Sequence, residues 1–257
     1  MSKEQSAIGV IGGVGPHAGL DFVRKIFTNT RAVKDQEHIN CMLISCPSLI
    51  PDRTGYILKN ENEEAENPAV GMLESAGYLY AAGVRYASVA CNTAHSEIIF
   101  SHFMELVKEK FPGFNIINML ESSAVYVKKT YPDIKRIGLL ATKGTYKSRV
   151  YHEYFKKEDG FEIIEPEERG QERIHEAIYS ETYGIKANSI DISPQARDWI
   201  SYEIYRLMDR DAEAVILGCT ELPLVVSPQN YAIPVIDPGL ITARRLIQLT
   251  NPHKLLD

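Results

Sequence analysis

The chain has 257 residues, 44% of them apolar and 24% charged, with a formal net charge of −6. That length can bury a core as one large domain or two small ones. No apolar run reaches the length of a bilayer span, and an acidic balance without any basic run argues against a nucleic-acid partner.

Residues 7–11 form an apolar strand that runs into Gly12-Gly13-Val14-Gly15-Pro16 and a helix over 17–29. The glycines satisfy a loose dinucleotide-loop pattern. The next strand, 38–45, runs into Cys46-Pro47 rather than an acidic residue, so the better reading is a tight turn that lets the backbone approach an anionic ligand. Residues 46–67 are expected as a long binding loop carrying Arg53 and an acidic run, Glu61 to Glu66. A helix over 68–82 stops at Gly83. A strand from Val84 then delivers Cys91 to a loop of hydrogen-bonding side chains, followed by a helix over 96–110.

A strand at 114–118 and a helix at 120–130 lead to the strand 136–141, which opens onto Thr142-Lys143-Gly144-Thr145 and a helix through Phe155. Another strand spans 161–164 and another helix 171–181. Gly184-Ile185-Lys186-Ala187 then precedes a helix over 195–209. The segment from Asp211 to Leu222 is a second apolar strand ending in a cysteine, Cys219, followed by Thr220 and Glu221. A short strand at 232–236 and a helix over 238–249 close the chain.

Two matches recur at one offset: the cysteines lie 219 − 91 = 128 positions apart, and the strands opening at Ile8 and Ile137 lie 137 − 8 = 129 apart. This points to an internal duplication. The expected architecture is α/β: two pseudo-symmetric domains, each with a parallel sheet covered by helices and with the active site at their interface. One lobe would hold residues 1–118 plus 232–257, the other 119–231.

Four cysteines, Cys41, Cys46, Cys91 and Cys219, with no signal-peptide pattern at residues 1–7, lead us to expect free thiols in a reducing, cytoplasmic compartment; their spacing does not suit structural zinc. Two thiols facing one cleft suit a demanding reaction. One thiolate removes a proton from one face of a carbon and the partner thiol returns another to the opposite face, inverting the centre. A thiol of pKa about 8.5 cannot alone remove a weakly acidic α-proton, so fixed donors must stabilise the developing charge. Asn92, Thr93, Thr142, Thr145 and Thr220 are candidates, and Glu221 could hold or relay a proton beside Cys219.

Cys91-Asn92-Thr93-Ala94-His95 and Gly218-Cys219-Thr220-Glu221 resemble the two signature motifs of the aspartate/glutamate racemase family, which uses no pyridoxal phosphate. The glycine loop, Pro51-Asp52-Arg53 and Ala141 to Thr145 extend the resemblance along nearly the whole chain. It implies two α/β domains with the site between them, Cys91 and Cys219 as the acid/base pair, no metal or organic cofactor, and a homodimer. Similarity to aspartate racemases further implies that Arg53 and Lys186 hold a side-chain carboxylate, while Asn92, Thr93, Thr142 and Thr145 bind the α-carboxylate and amino group. The expected substrate is therefore a small dicarboxylic amino acid. The chain departs from the family at His17, Gly19, Ser45 and Cys46, which bears on the choice of substrate. The competing readings are a maleate-isomerase type of enzyme with a cysteine nucleophile and a non-catalytic amino-acid binder.

Overall fold

The computed structural model describes residues 7–59 and 64–256. Two parallel four-stranded sheets organise the chain, and they share one strand order. In the first sheet β1 (Ile8–Ile11) is flanked by β2 (Cys41–Ile44) and β3 (Tyr86–Val89), with β4 (Asn115–Ile116) beyond β3. In the second, β5 (Arg136–Ala141) lies between β6 (Glu162–Ile164) and β7 (Ala214–Gly218), and β8 (Val235–Ile236) pairs with β7. The central strands β1, β5 and β7 are almost wholly buried, as strands covered by helices on both faces must be.

The helices are α1 (Pro16–Thr28), α2 (Arg53–Leu58), α3 (Pro68–Ala81), α4 (Glu97–Lys110), α5 (Met119–Thr130), α6 (Lys143–Ser148), α7 (Val150–Tyr154), α8 (Glu168–Tyr179), α9 (Pro194–Met208) and α10 (Pro238–Thr250). Among the described residues no helix is long and apolar enough to cross a membrane.

The duplication extends to details of chain reversal. Helix α3 ends with Gly83 in the left-handed region (φ 87°), and the Val84 N–H reaches back to the Leu79 carbonyl at 3.1 Å. Helix α9 ends the same way, with Asp211 left-handed (φ 59°) and the Ala212 N–H bonded to the Leu207 carbonyl at 3.0 Å. Both are Schellman closures that launch the cysteine-bearing strands.

Three differences from the sequence reading have local causes. The expected loop 46–67 contains α2, nucleated by Asp52, whose carboxylate accepts the Gly55 N–H at 2.5 Å. Of its acidic run, residues 61–63 lie outside the described residues, and Glu64 to Glu66 are exposed. The helix expected through Phe155 breaks at Arg149, which is left-handed (φ 54°) and separates α6 from α7. Residues 232–236, assigned from the sequence to the first lobe, supply β8 instead, because the outer edge of β7 takes it as a parallel neighbour. Helix α10 does return to pack on α1, as well as on α5. There Lys25 lies 2.5 Å from Asp21 and 2.7 Å from Asp237, the carboxylate that caps α10.

Candidate active site

Cys91 and Cys219 follow β3 and β7, the equivalent strands of the two sheets, and are 7% and 6% exposed. The two strand ends touch: the Thr220 hydroxyl donates to the Ala90 carbonyl at 3.1 Å, joining the residue after one cysteine to the residue before the other. Neither thiol opens directly onto a long helix. Short 3-10 turns follow, at Thr93–His95 and Leu222–Leu224.

The loop around Cys91 is clamped by His95. Its Nδ1 bonds the Cys91 carbonyl at 2.8 Å and its Nε2 accepts the Met119 N–H at 3.3 Å, which requires the neutral tautomer protonated on Nδ1. Burial pushes the His95 pKa down to about 4, against a partial rise from the bond to the Cys91 carbonyl, so the ring is neutral at physiological pH and serves as a brace.

Asn92 is 1% exposed. Tyr151, from the second half, donates to its Oδ1 at 2.6 Å, and burial keeps the Tyr151 phenol well above its usual pKa, so it remains a donor. That bond fixes the amide orientation and leaves the buried Nδ2 without a partner among the described residues. Thr93 meets Thr145 at 2.8 Å and Thr142 at 3.2 Å, and Thr54 joins Thr142 at 3.3 Å. One hydroxyl cluster thus spans both halves. Gly144 permits this approach, since a Cβ there would lie 2.9 Å from the Thr54 backbone.

The buried Arg53 side chain is oriented by the Val14 and Pro51 carbonyls, and its Nε has no hydrogen-bond partner among the described residues. Burial opposes its charge, but hydrogen bonding and attraction to Cys91, with further help from Tyr179 and Asp52, more than restore it. Beside Cys219 the arrangement differs. The Cys219 thiol donates to Glu221 Oε2 at 2.9 Å, while Lys186 Nζ donates to Glu221 Oε1 at 2.6 Å. Burial and the Glu221 charge push the Cys219 thiol well above its ordinary pKa. Burial would also raise the Glu221 carboxyl, but Lys186, the thiol bond and Arg53 outweigh it and hold Glu221 below the usual carboxylate range. The result is an acid–base chain: a neutral thiol on an ionised carboxylate anchored by an ammonium.

A cavity of about 280 Å³ opens outside these groups, lined among others by Gly15, His17, Arg53, Lys186, Ser189 and Glu221. Neither cysteine is part of its wall, and both are buried. Gly15 has φ 157°, and a Cβ there would collide with Glu221 Oε1, so the glycine turn of one half receives the carboxylate of the other. The group this turn lies against is a carboxylate of the protein itself, where the sequence reading expected an anionic ligand.

Every residue selected from the sequence lies in this connected region. Sequence reasoning missed Tyr151, Thr54 and Tyr179. The Tyr179 hydroxyl donates to Asp52 at 2.9 Å and lies 3.3 Å from Thr54, and its ring sits 5.2 Å beneath Lys186 Nζ. No local pattern marks these residues, because each partner is distant in the chain.

The chain is similar to known racemases over most of its length. The solved aspartate racemase of Picrophilus torridus is 30% identical and superimposes with a TM-score of 0.80, the match covering 98% of this chain and 96% of that one. A broad specificity amino-acid racemase of Bacillus subtilis is 24% identical over 245 residues, 93% of this chain and 96% of the relative. A glutamate racemase of Levilactobacillus brevis is 26% identical over 180 residues, 68% of this chain, and the match spans 59% of the relative's length. The sequence signature of the Asp/Glu/Hydantoin racemase family matches residues 11–246, and the chain belongs to that family.

Proposed function

We propose that the chain is a cofactor-independent amino-acid racemase that interconverts L- and D-aspartate, with glutamate as a second substrate, by two-base proton transfer between Cys91 and Cys219. The observation that carries this reading is the hydrogen bond from Thr220 to the Ala90 carbonyl, which sets two equivalent cysteine loops side by side in unlike electrostatic surroundings. Cys91, with the Arg53 cation beside it, takes the α-proton as a thiolate. Cys219, as the thiol bound to Glu221, delivers a proton to the opposite face. In the reverse direction the roles exchange: Cys219 takes the proton as a thiolate and Cys91 delivers one as a thiol.

The unpartnered Asn92 amide and the Thr93, Thr142 and Thr145 hydroxyls are oriented to receive the α-carboxylate and amino group. Arg53 and Lys186 take the distal carboxylate. An incoming carboxylate competes with Glu221 for Lys186, which leaves Glu221 to Cys219 alone. The similar P. torridus protein is an aspartate racemase, which supports a dicarboxylic substrate.

Each aspartate enantiomer is incubated with the protein in D2O and followed by circular dichroism and NMR. The expected product is the opposite enantiomer carrying α-deuterium. An absence of both exchange and optical change with aspartate and with glutamate ends the dicarboxylate reading. Cys91→Ala and Cys219→Ala each abolish racemisation, while each retains proton exchange for only one enantiomer, opposite in the two variants.

A further inference from the structure

Away from the cleft, a cavity of about 210 Å³ lies between α8 and α9. Four arginines line it: Arg169 and Arg173 one turn apart along α8, Arg206 in the last turn of α9 and Arg210 just beyond that helix's end. Like charges at this spacing repel. Among the described residues two carboxylates share the wall, Glu167 and Glu203, an excess of two positive charges in a chain whose net charge is −6.

Those carboxylates do not neutralise the cavity. Glu203 is 3% exposed and is committed to Arg173, whose Nη1 donates to it at 2.8 Å. Gly170 makes room for that carboxylate, since a Cβ there would lie 2.6 Å from Glu203 Oε2, and the Tyr202 ring lies 5.1 Å from the Arg173 guanidinium. Arg173 is thus fixed in place. Arg206 meets the exposed Glu167 only at 3.8 Å, and Arg210 is oriented by the Glu165 carbonyl at 2.7 Å, which carries no net charge. Among the described residues no hydrogen bond or ion pair holds Arg169.

We propose that this cavity binds a phosphate-type oxyanion bearing several charges, either free diphosphate or the diphosphate end of a nucleotide. Four guanidiniums and no lysine suit planar, two-pronged contacts to phosphoryl oxygens. At about 30 Å³ per water the space exceeds a monatomic ion several-fold, so an extended anion fills it better than chloride.

The test is calorimetric titration of the intact chain with inorganic diphosphate at low ionic strength, with ADP as a second arm. One saturable site per chain is expected, weakened at least tenfold by Arg169→Ala and further by adding Arg206→Ala, with the thermal midpoint of Arg169→Ala unchanged because that side chain has no partner to lose. ADP binding as tightly as diphosphate identifies the nucleotide as source; diphosphate binding alone identifies the free ion. Lys186→Ala serves as the control for the cationic cleft. Absence of saturable heat overturns the proposal. So does binding that survives the arginine changes and disappears in Lys186→Ala, which assigns the anion to the cleft.

Discussion

At Asn92 a single hydrogen bond decides which end of an amide faces the reaction space. Because the Tyr151 phenol can only donate to Oδ1, Nδ2 must point the other way. Tyr151→Phe keeps the ring and removes the constraint, so kcat/KM is expected to fall about tenfold, the equivalent of one hydrogen bond, while the unfolding midpoint shifts only slightly. Steady-state racemisation of aspartate measures the first and urea denaturation the second. His95 allows a prediction about pH. Its native pKa of about 4 lies below its ordinary 6.5, so the unfolded chain takes up the proton first. Stability is therefore full above pH 6.5 and declines by on the order of 3 kcal/mol as pH falls towards 4. His95→Leu removes that slope between pH 6.5 and 4. It also lowers stability at pH 7 by about 1–3 kcal/mol for each stranded group, the Cys91 carbonyl and the Met119 N–H. Urea midpoints across this range separate the two effects. Cys91, Cys219 and Glu221 were legible in the sequence because each sits at a strand end and the strands repeat. Tyr151 and Tyr179 were not, since their partners lie 59 and 127 positions away.

Among the elements, the paired helix ends expose a difference between the halves. Gly83 adopts the left-handed conformation without a steric cost, whereas Asp211 adopts it with a Cβ. Asp211→Gly is expected to stabilise the fold by about 0.5–1 kcal/mol, read as a higher urea midpoint at unchanged slope. The lost pair with Arg136 is exposed and offsets little of this gain. The same local rules made the strands and long helices predictable, since apolar runs and glycine stops mark them. Helix α2 escaped detection because six residues show no periodicity and its start depends on one Asp52 cap. The break at Arg149 has no glycine or proline to announce it, and β8, only two residues long, reveals its sheet through its partner alone.

Across the whole molecule, the fit between the halves rests on absent side chains. Gly15 leaves space for Glu221, and Gly144 for Thr54. Gly15→Ala pushes a methyl group against the carboxylate that links Cys219 to Lys186. Activity is expected to fall at least a hundredfold while far-UV circular dichroism stays native, because the collision lies between the halves and leaves each sheet intact. Retention of wild-type kcat/KM counts against the role assigned to Glu221. That the chain contains two related halves could be read from the repeated offsets, but their closeness could not, because no spacing in one half reports on the surface of the other.

The return of α10 to the first half means that the backbone passes between the sheets twice, once after β4 and again after β8. Two tethers restrict relative movement far more than one would. Motion that stretches neither is a swing about the line through both crossings, as with a door on two hinges. Sliding and twisting are thereby disfavoured, which favours a fixed register between the two cysteine loops.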